Sequence, residues 1–145
     1  MKFVIRPLVG VGPVEFNMAR ANVYDALGKP EYRNGNRECF LSGLMIDFDD
    51  AGTVEFIEMA RSEKFIADFD GQNLHKITAI EAVALISKYS ELQEKDAEAG
   101  YGYIYPKLQI SLWRGTLPEN ESDENGKYFE AIGVARDGYF DAQII

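Results

Sequence analysis

The sequence has few of the residues that build metal centres and catalytic triads. Among its 145 residues there is one cysteine, Cys39, and one histidine, His75. A single cysteine excludes an internal disulfide, and together these two residues are too few for a structural zinc site of the usual kind. Because the cysteine usage gives no sign of an oxidising compartment, we expect a cytoplasmic protein that needs neither a metal ion nor another cofactor.

Long apolar segments are absent too. No apolar run approaches the roughly 20 residues that a membrane span requires, and Arg6 and Pro7 interrupt the N-terminal run before a signal-peptide core could form. We therefore expect a soluble chain without a membrane partner. Its composition, 46% hydrophobic and 27% charged, is that of a globular protein, and we predict one domain over residues 1–145.

Positive charge is scarce. Fifteen Lys and Arg residues stand against 24 Asp and Glu residues, which gives a net charge of -9. From Asp47 onward the chain has 9 basic and 20 acidic residues. Such a surface repels nucleic acid and attracts basic proteins, whose encounter it accelerates. Solubility alone also explains a negative surface, so both interpretations stay open.

The first half of the chain reads as a helix followed by a hairpin. Apolar positions at helical spacing predict a helix over residues 18–27, with Asn17 as its N-cap and Gly28 as its end. A polar loop, EYRNGNRE, follows the helix. The period then changes to two between Leu44 and Phe48, which indicates a strand.

The segment DFDDAGTVEF predicts a hairpin whose register is selected by its side chains. A three-residue loop ending on Gly52 places Asp49 opposite Thr53, so that Phe48 pairs with Val54. In this register Ile46 pairs with Phe56. One face then carries Leu44, Ile46, Phe48, Val54 and Phe56, and the other carries Asp47, Asp49, Thr53 and Glu55. Ile57, Glu58 and Met59 break the alternation, which a bulge or a second packed neighbour would explain.

The second half begins with a predicted strand, FIADFDG, and a helix. Thr78 and Glu81 have the spacing of a capping box, which predicts a helix over residues 79–89. One side of this helix carries Ile80, Val83, Ala84 and Ser87, broadened by Leu85 and Ile86. The charged segment ELQEKDAEAG extends this helix or forms a short second one.

The end of the chain echoes the first half. Leu108, Ile110 and Leu112 alternate as Leu44, Ile46 and Phe48 do, at an offset of 64 residues, and GKYFEAIGVA echoes GTVEFIEMA. The predicted fold class is therefore α+β, with a mainly antiparallel sheet and helices packed on one side. We predict that it is built from two similar helix-then-hairpin repeats, at approximately residues 10–60 and 65–141.

Two motifs resemble ligand-binding loops, but each contains a residue that argues against a ligand. The run Gly10-Val11-Gly12 opens like a dinucleotide loop, but Glu15 stands where the third glycine is needed and would repel pyrophosphate. Asp47 begins a run that matches most of an EF-hand loop, but Ala51 removes the fifth-position ligand, and the flanks alternate as strands. We predict neither a nucleotide nor a calcium site.

Catalysis by histidine would have to use His75. No nucleophile motif lies near it, so we place no catalytic residue in this chain. Cys39, next to Phe40 and Leu41, reads as a buried apolar residue. The alternative is a small hydrolase-type enzyme in which His75 acts with a carboxylate.

Surface side chains offer the better hypothesis. Asp47, Asp49 and Glu55 share one exposed strand face in the predicted hairpin. Aromatic residues recur at period two farther along, at Tyr101, Tyr103, Tyr105 and then Trp113. Aromatic side chains beside charged ones are typical of protein-binding hot spots, so these seven residues are the predicted partner contacts. The alternative is that one face of the tyrosine strand belongs to the core.

The segment GPVEFNMARANVYDALGKP resembles an entry signature of many small bacterial proteins, in which a strand pair, an F-x-G-x-x-L motif and a second helix follow. Here these are DFDDAGTVEFIEMA and FDGQNLHKITAIEAVALI, so the resemblance covers nearly the whole chain. Ala19 departs from the Ser or Thr that is usual there. The pattern is similar to the tandem repeats of β-lactamase-inhibitor-like proteins and of immunity proteins against toxins delivered between competing bacteria.

The resemblance implies a non-enzymatic immunity protein. Such a protein neutralises a cognate protein toxin by occlusion, and the negative charge favours a basic partner such as a nuclease. No contact residues are carried over from these families.

Overall fold

The computed structural model describes residues 1–92 and 100–141. Within these ranges the chain forms twelve strands and two helices. The strands are β1 Lys2–Arg6, β2 Gly10–Val11, β3 Val14–Glu15, β4 Tyr32–Asn34, β5 Arg37–Cys39, β6 Leu44–Phe48, β7 Val54–Ala60, β8 Ile66–Phe69, β9 Gln72–Asn73, β10 Gly102–Tyr105, β11 Ile110–Trp113 and β12 Ala131–Ala135, and the helices are α1 Arg20–Leu27 and α2 Ala79–Ser87. Most of the predicted ELQEKDAEAG helix, at residues 93–99, lies outside the described residues.

The strands form two sheets where the sequence predicted one. The larger sheet has seven strands in the order β10-β11-β12-β7-β6-β5-β4, and every neighbouring pair is antiparallel. The smaller sheet has the order β3-β2-β1-β8-β9, in which β1 and β8 are parallel. The predicted α+β class with mainly antiparallel strands is confirmed.

One hydrophobic core lies against one face of the seven-stranded sheet, its inner face. Leu44, Ile46, Ile110 and Ile132 are fully buried there. The same core takes up buried residues of both helices and of the smaller sheet, namely Val23, Ala79, Ala82, Ile86, Phe3, Ile5, Ala67 and Phe69. Burial of apolar area is the main term that holds these layers together.

Helix α1 starts later than predicted. Its N-cap is Ala19, which has no side-chain capping bond, and Asn17 adopts a positive φ of 71°, so the predicted Asn17 cap is wrong. The backbone around it pairs with the hairpin instead, because Asn17 N donates to Val54 O and Val54 N donates to Met18 O. Gly28 ends the helix as predicted, with a φ of 86° and its N–H on Tyr24 O.

Helix α2 has the predicted start and a different buried side. Thr78 and Glu81 form the capping box, and the helix ends at Ser87 rather than at residue 89. Its fully buried residues are Ala79, Ala82 and Ile86, whereas Ile80 is 81% exposed. The small alanine side chains let this side of the helix approach the core closely, so the predicted apolar side is rotated away from the observed one.

The β6–β7 hairpin has the predicted turn and an unpredicted bulge. Asp49 N donates to Thr53 O, Gly52 has a φ of 80°, and Phe48 pairs with Val54 as expected. Beyond that pair the register shifts by one residue, so Ile46 pairs with Ile57. The predicted pairing of Ile46 with Phe56 is therefore wrong.

The bulge sends Phe56 to the opposite face of the sheet. There Phe56 packs against Ala135 and Phe140, and its ring lies 5.0 Å from that of Tyr139. Ile57 and Met59, which break the sequence alternation, point into the core because of the same shift.

The segment EYRNGNRE forms a hairpin where the sequence predicted a loop. Strands β4 and β5 pair from Tyr32 opposite Cys39 to Asn34 opposite Arg37, and Gly35 takes a φ of 63° in the turn. The loop residues are Gly35 and Asn36, and a glycine at the first central position is a signal for a two-residue turn. Over the described residues, neither helix has the length and apolarity needed to cross a membrane.

We predict that Thr78→Ala destabilises the protein by about 1 kcal/mol, because the hydroxyl that accepts from Glu81 N is lost. Urea unfolding followed by circular dichroism measures the change. Glu81→Gln is the matched control and should change stability less, since glutamine also completes a capping box. Equal unfolding midpoints for Thr78→Ala and the parent chain would contradict this account.

Candidate functional site

The second face of the seven-stranded sheet, the outer face, is covered only in part, where the turn at residues 136–141 packs on Phe56 and Ala135. In residues 1–92 and 100–141, no helix or second sheet covers it, and Met45, Asp47 and Glu58 are half-buried there while their inner-face neighbours are buried. Tyr32 is 63% exposed at one end, and Trp113 is 46% exposed on β11. The outer face thus presents aromatic, sulfur-containing and charged side chains together.

Two arginines organise the charges of the outer face. Arg37 binds Asp47 through two bonds, Nε to Oδ1 at 2.7 Å and Nη2 to Oδ2 at 3.2 Å, and its Nη1 lies 3.4 Å from Glu58. Arg136 Nη1 lies 2.7 Å from Asp49 Oδ2, and Arg136 Nη2 lies 3.2 Å from Glu55 Oε1. Four carboxylates therefore share two guanidinium groups, and the cluster keeps a negative surplus.

The pKa values follow from these contacts. The hydrogen bonds that Arg37 donates to Asp47 raise the pKa of Arg37, so this arginine stays charged. Burial raises the pKa of Glu55, while Arg136 opposes the shift. The Thr53 backbone N–H, followed by Arg136 and the Thr53 hydroxyl, holds the pKa of Asp49 well below its usual range.

Asp49 is a structural residue of the turn. Its Oδ1 accepts from the backbone N–H groups of Ala51 and Thr53, and its Oδ2 accepts from the Thr53 hydroxyl and Arg136. These bonds leave little of the carboxylate for a partner. Asp47 and Glu55, by contrast, line a shallow groove of about 410 Å³ with Arg37 and two asparagines of the β4–β5 turn.

The predicted aromatic contacts are divided between the two faces of the sheet. Tyr105 is fully buried in the core, where its hydroxyl donates to Val83 O, and burial raises its pKa. Tyr103 packs edge-on against Phe129 in the same core. Trp113 lies on the outer face, and Tyr101 is exposed just before β10. The structure therefore removes Tyr105 from any contact surface, and it places Tyr103 and Tyr105 on the opposite face of the sheet from Trp113 although β10 and β11 are neighbours.

Sequence reasoning missed three outer-face residues. Tyr32 and Arg37 lie in the hairpin that was predicted as a loop, and Glu58 follows the bulge. The Gly35-Asn36 turn could have placed the first two on neighbouring strands. Nothing local could have placed Arg136 beside Asp49, since 87 positions separate them.

His75 is poorly placed for the hydrolase alternative. The side chain is 2% exposed, and its Nε2 donates to the carbonyl oxygen of Met59 at 3.2 Å. Burial lowers its pKa to about 4, which keeps the ring neutral at pH 7. No carboxylate in the described part of the chain forms a hydrogen bond with the ring. Among the described residues no group of three acidic, His or Cys side chains could hold a metal ion.

We predict that stability falls as the pH drops from about 6.5 towards 4, in part because of His75. The unfolded chain protonates this histidine near its ordinary pKa of about 6.5, whereas the folded chain resists protonation until about pH 4. The unfolded state therefore binds more protons in this window, and folding weakens as the pH falls. His75→Gln should remove this component, measured as the difference in unfolding free energy from the parent chain. A difference that stays constant between pH 7 and 4.5 would refute the assignment.

We predict that Asp49→Asn lowers the urea midpoint of unfolding, because the ion pair with Arg136 is lost. The depressed pKa of Asp49 stabilises the fold above the unfolded value near 4, and this contribution is lost as the pH falls further. The deficit of the variant should therefore be full at pH 7 and shrink below pH 4. Asp50→Asn, one residue along the same turn, is the matched control, and an equal effect of both variants would contradict the role given to Asp49.

Comparisons of the chain with protein-family models, with curated proteins and with solved structures found no match. Evidence for its function therefore comes from the geometry of its own surfaces.

Proposed function

We propose that this chain is a non-enzymatic binding protein of the immunity-protein kind, which neutralises a basic toxin, such as a nuclease, by covering its active surface. The observation that carries the proposal is the open outer face. It joins the exposed rings of Tyr32 and Trp113 to a cluster in which carboxylates outnumber arginines.

The chemistry of the outer face suits recognition of a basic protein. Tyrosine, tryptophan and arginine side chains supply most of the binding energy in protein interfaces. Surplus carboxylates attract basic partners from a distance and speed their association. In a nuclease, the same carboxylates would occupy positions that accept phosphate groups.

A rigid strand framework lowers the entropic cost of binding. The outer-face side chains stand on paired strands, and Arg37 is fixed by its two bonds to Asp47. Because these groups are already ordered, association loses less side-chain freedom than it would with mobile loops.

We further propose that the fold arose from two similar halves. The β6–β7 and β11–β12 hairpins lie side by side, because β7 pairs with β12 in the middle of the larger sheet. A helix precedes each hairpin in the chain, α1 in the first half and α2 in the second. Neither half could bury its inner face alone, and joining them creates an outer face seven strands wide.

The width of that face sets a requirement on the partner. Seven strands about 4.8 Å apart and about five residues long cover roughly 500 Å² in projection. A stable interface covers roughly 800 Å² on each partner. Part of the face is already covered, where Tyr139 and Phe140 pack on Phe56, and we propose that a cognate toxin also contacts surfaces that adjoin the sheet.

Affinity purification of the tagged chain from its native strain, with mass spectrometry, tests the proposal. We expect a basic protein at a one-to-one ratio, and about tenfold less of it with Trp113→Ala, because an exposed tryptophan in a contact surface is a hot spot. Leu41→Ala, at another exposed apolar residue, is the matched control and should leave capture unchanged.

The charge component has its own test with the captured partner. The pair Asp47→Asn and Glu58→Gln removes carboxylates of the Arg37 cluster, so association should slow and its dependence on salt should flatten. Purification that returns no partner, or a partner whose binding is insensitive to Trp113 and to this charge pair, would refute the proposal.

A further inference from the structure

An apolar groove lies at the end of β11, on the side of the seven-stranded sheet that α2 covers. It has a volume of about 570 Å³, within the range of ligand-binding clefts, and lies between the start of α2 and the loop at residues 116–127. Ile80 lines it from the helix, and Pro118 lines it from the loop. The loop begins three residues after Trp113, whose ring packs beside Gly115, so one partner could contact both surfaces.

The loop that forms one wall is held in place by its own bonds. Asp123 accepts from the backbone N–H groups of Glu119 and Asn125, at 2.9 Å each. Lys127 O accepts from Ala79 N at the start of α2, and Arg114 donates to Gly126 O. The groove is therefore preformed, which spares a partner the cost of ordering the loop.

The rim of the groove is acidic. Residues 116–127 contain four carboxylates and one cation, Lys127, whose Nζ lies 2.9 Å from Glu124 Oε2. The second cation of the lining, Arg114, donates to the backbone carbonyl oxygens of Gly100 and Gly126. The Glu119 N–H, and then the Asn125 N–H, lower the pKa of Asp123, so this rim residue keeps its charge. Glu121 is exposed beside it.

An anion is the wrong occupant for this groove. The first turn of α2 would attract a phosphate only if its N–H groups pointed at the cleft unpaired. Here Thr78 Oγ1 accepts from Glu81 N, and the Glu81 carboxylate accepts from Thr78 N. A carboxylate already occupies the place at this helix start where an anion would bind.

We propose that the groove binds a basic, amphipathic segment of a protein partner. An apolar side chain of the segment packs against Ile80 and Pro118, and its lysine or arginine neighbours pair with Glu121 and Asp123. This inference rests on the proposed function and names the second contact that the area of the outer face requires. Ile80 is the anchor because 81% of its side chain is exposed on a helix surface.

The test uses a labelled synthetic peptide of alternating leucine and lysine, titrated by fluorescence anisotropy. Two peptides of equal length are its controls, one of alternating leucine and glutamate and one of alternating serine and lysine. We expect only the leucine–lysine peptide to bind, because the groove combines apolar side chains with carboxylates and so binds a segment that is both apolar and positively charged. Binding of the serine–lysine peptide with equal affinity would overturn the proposal, since it would reflect net charge alone.

Variants locate the binding. Ile80→Ser and Glu121→Lys should each lower the affinity for the leucine–lysine peptide by roughly fivefold or more. This corresponds to about 1 kcal/mol, which is typical of a contributing contact. Leu41→Ser is the matched control, since Leu41 is also an exposed apolar residue and lies outside the groove. No binding at all would overturn the inference. Equal losses with Leu41→Ser would place the peptide elsewhere and overturn it too.

The two proposals fail separately. The peptide titration needs no natural partner, so it decides on the groove whatever the purification returns. If a captured partner depends on Trp113 but not on Ile80 and Glu121, the proposed function stands and the groove inference fails.

Discussion

Apolar burial against a single face of the seven-stranded sheet is the constraint on which the rest of the structure depends. Both helices and the smaller sheet place their buried side chains in the same core, against Leu44, Ile46 and their neighbours. The outer face buries only the small cluster of Phe56, Ala135 and Phe140, so burial on the inner face meets most of the hydrophobic requirement of the layers. The other side is then available for polar and aromatic residues, which is why the open surface of the molecule coincides with a rigid strand framework.

Most of the arginines near this sheet are committed to internal pairing. Glu38 is fully buried on β5. Its Oε2 lies 2.8 Å from Arg20 Nε and 3.1 Å from Arg33 Nη2, and its Oε1 accepts from the Tyr24 hydroxyl. A buried carboxylate needs such partners, since burial without them is costly. With Arg37 and Arg136 held by outer-face carboxylates, the negative net charge of the chain is concentrated at positions such as the loop beside α2.

Local chemistry in the sequence predicted local structure well. The Thr78–Glu81 spacing placed the start of α2, and the requirement for a glycine with positive φ placed the Asp49–Thr53 turn. Both signals work within four residues, so no tertiary information was needed. The alternation of Ile110 and Leu112 likewise indicated which residues enter the core.

Several errors come from interactions between distant parts of the chain, whereas the missed β4–β5 hairpin and the Asn17 cap were local. The second sheet depends on pairing of β1 with β8, where Phe3 lies opposite Ala67. Prediction was poorest at the candidate site. The bulge at Glu55 determines which residues of β7 reach the outer face. The packing of α2 on β10 keeps Tyr105 in the core, where its hydroxyl donates to Val83 O. A pattern of period two states that a strand has two faces, but not which one the rest of the chain will cover.

The central position of β7 also governs the order in which the fold can be completed. Its partner on one side, β6, is available within a few residues, whereas its partner on the other side, β12, enters about seventy residues later in the chain. During synthesis, β7 therefore spends a period as an unpaired edge rich in apolar residues, of the kind that joins strands of other chains. The negative charges of Glu55 and Glu58 on that strand then oppose self-association, before these residues take up any role in recognition.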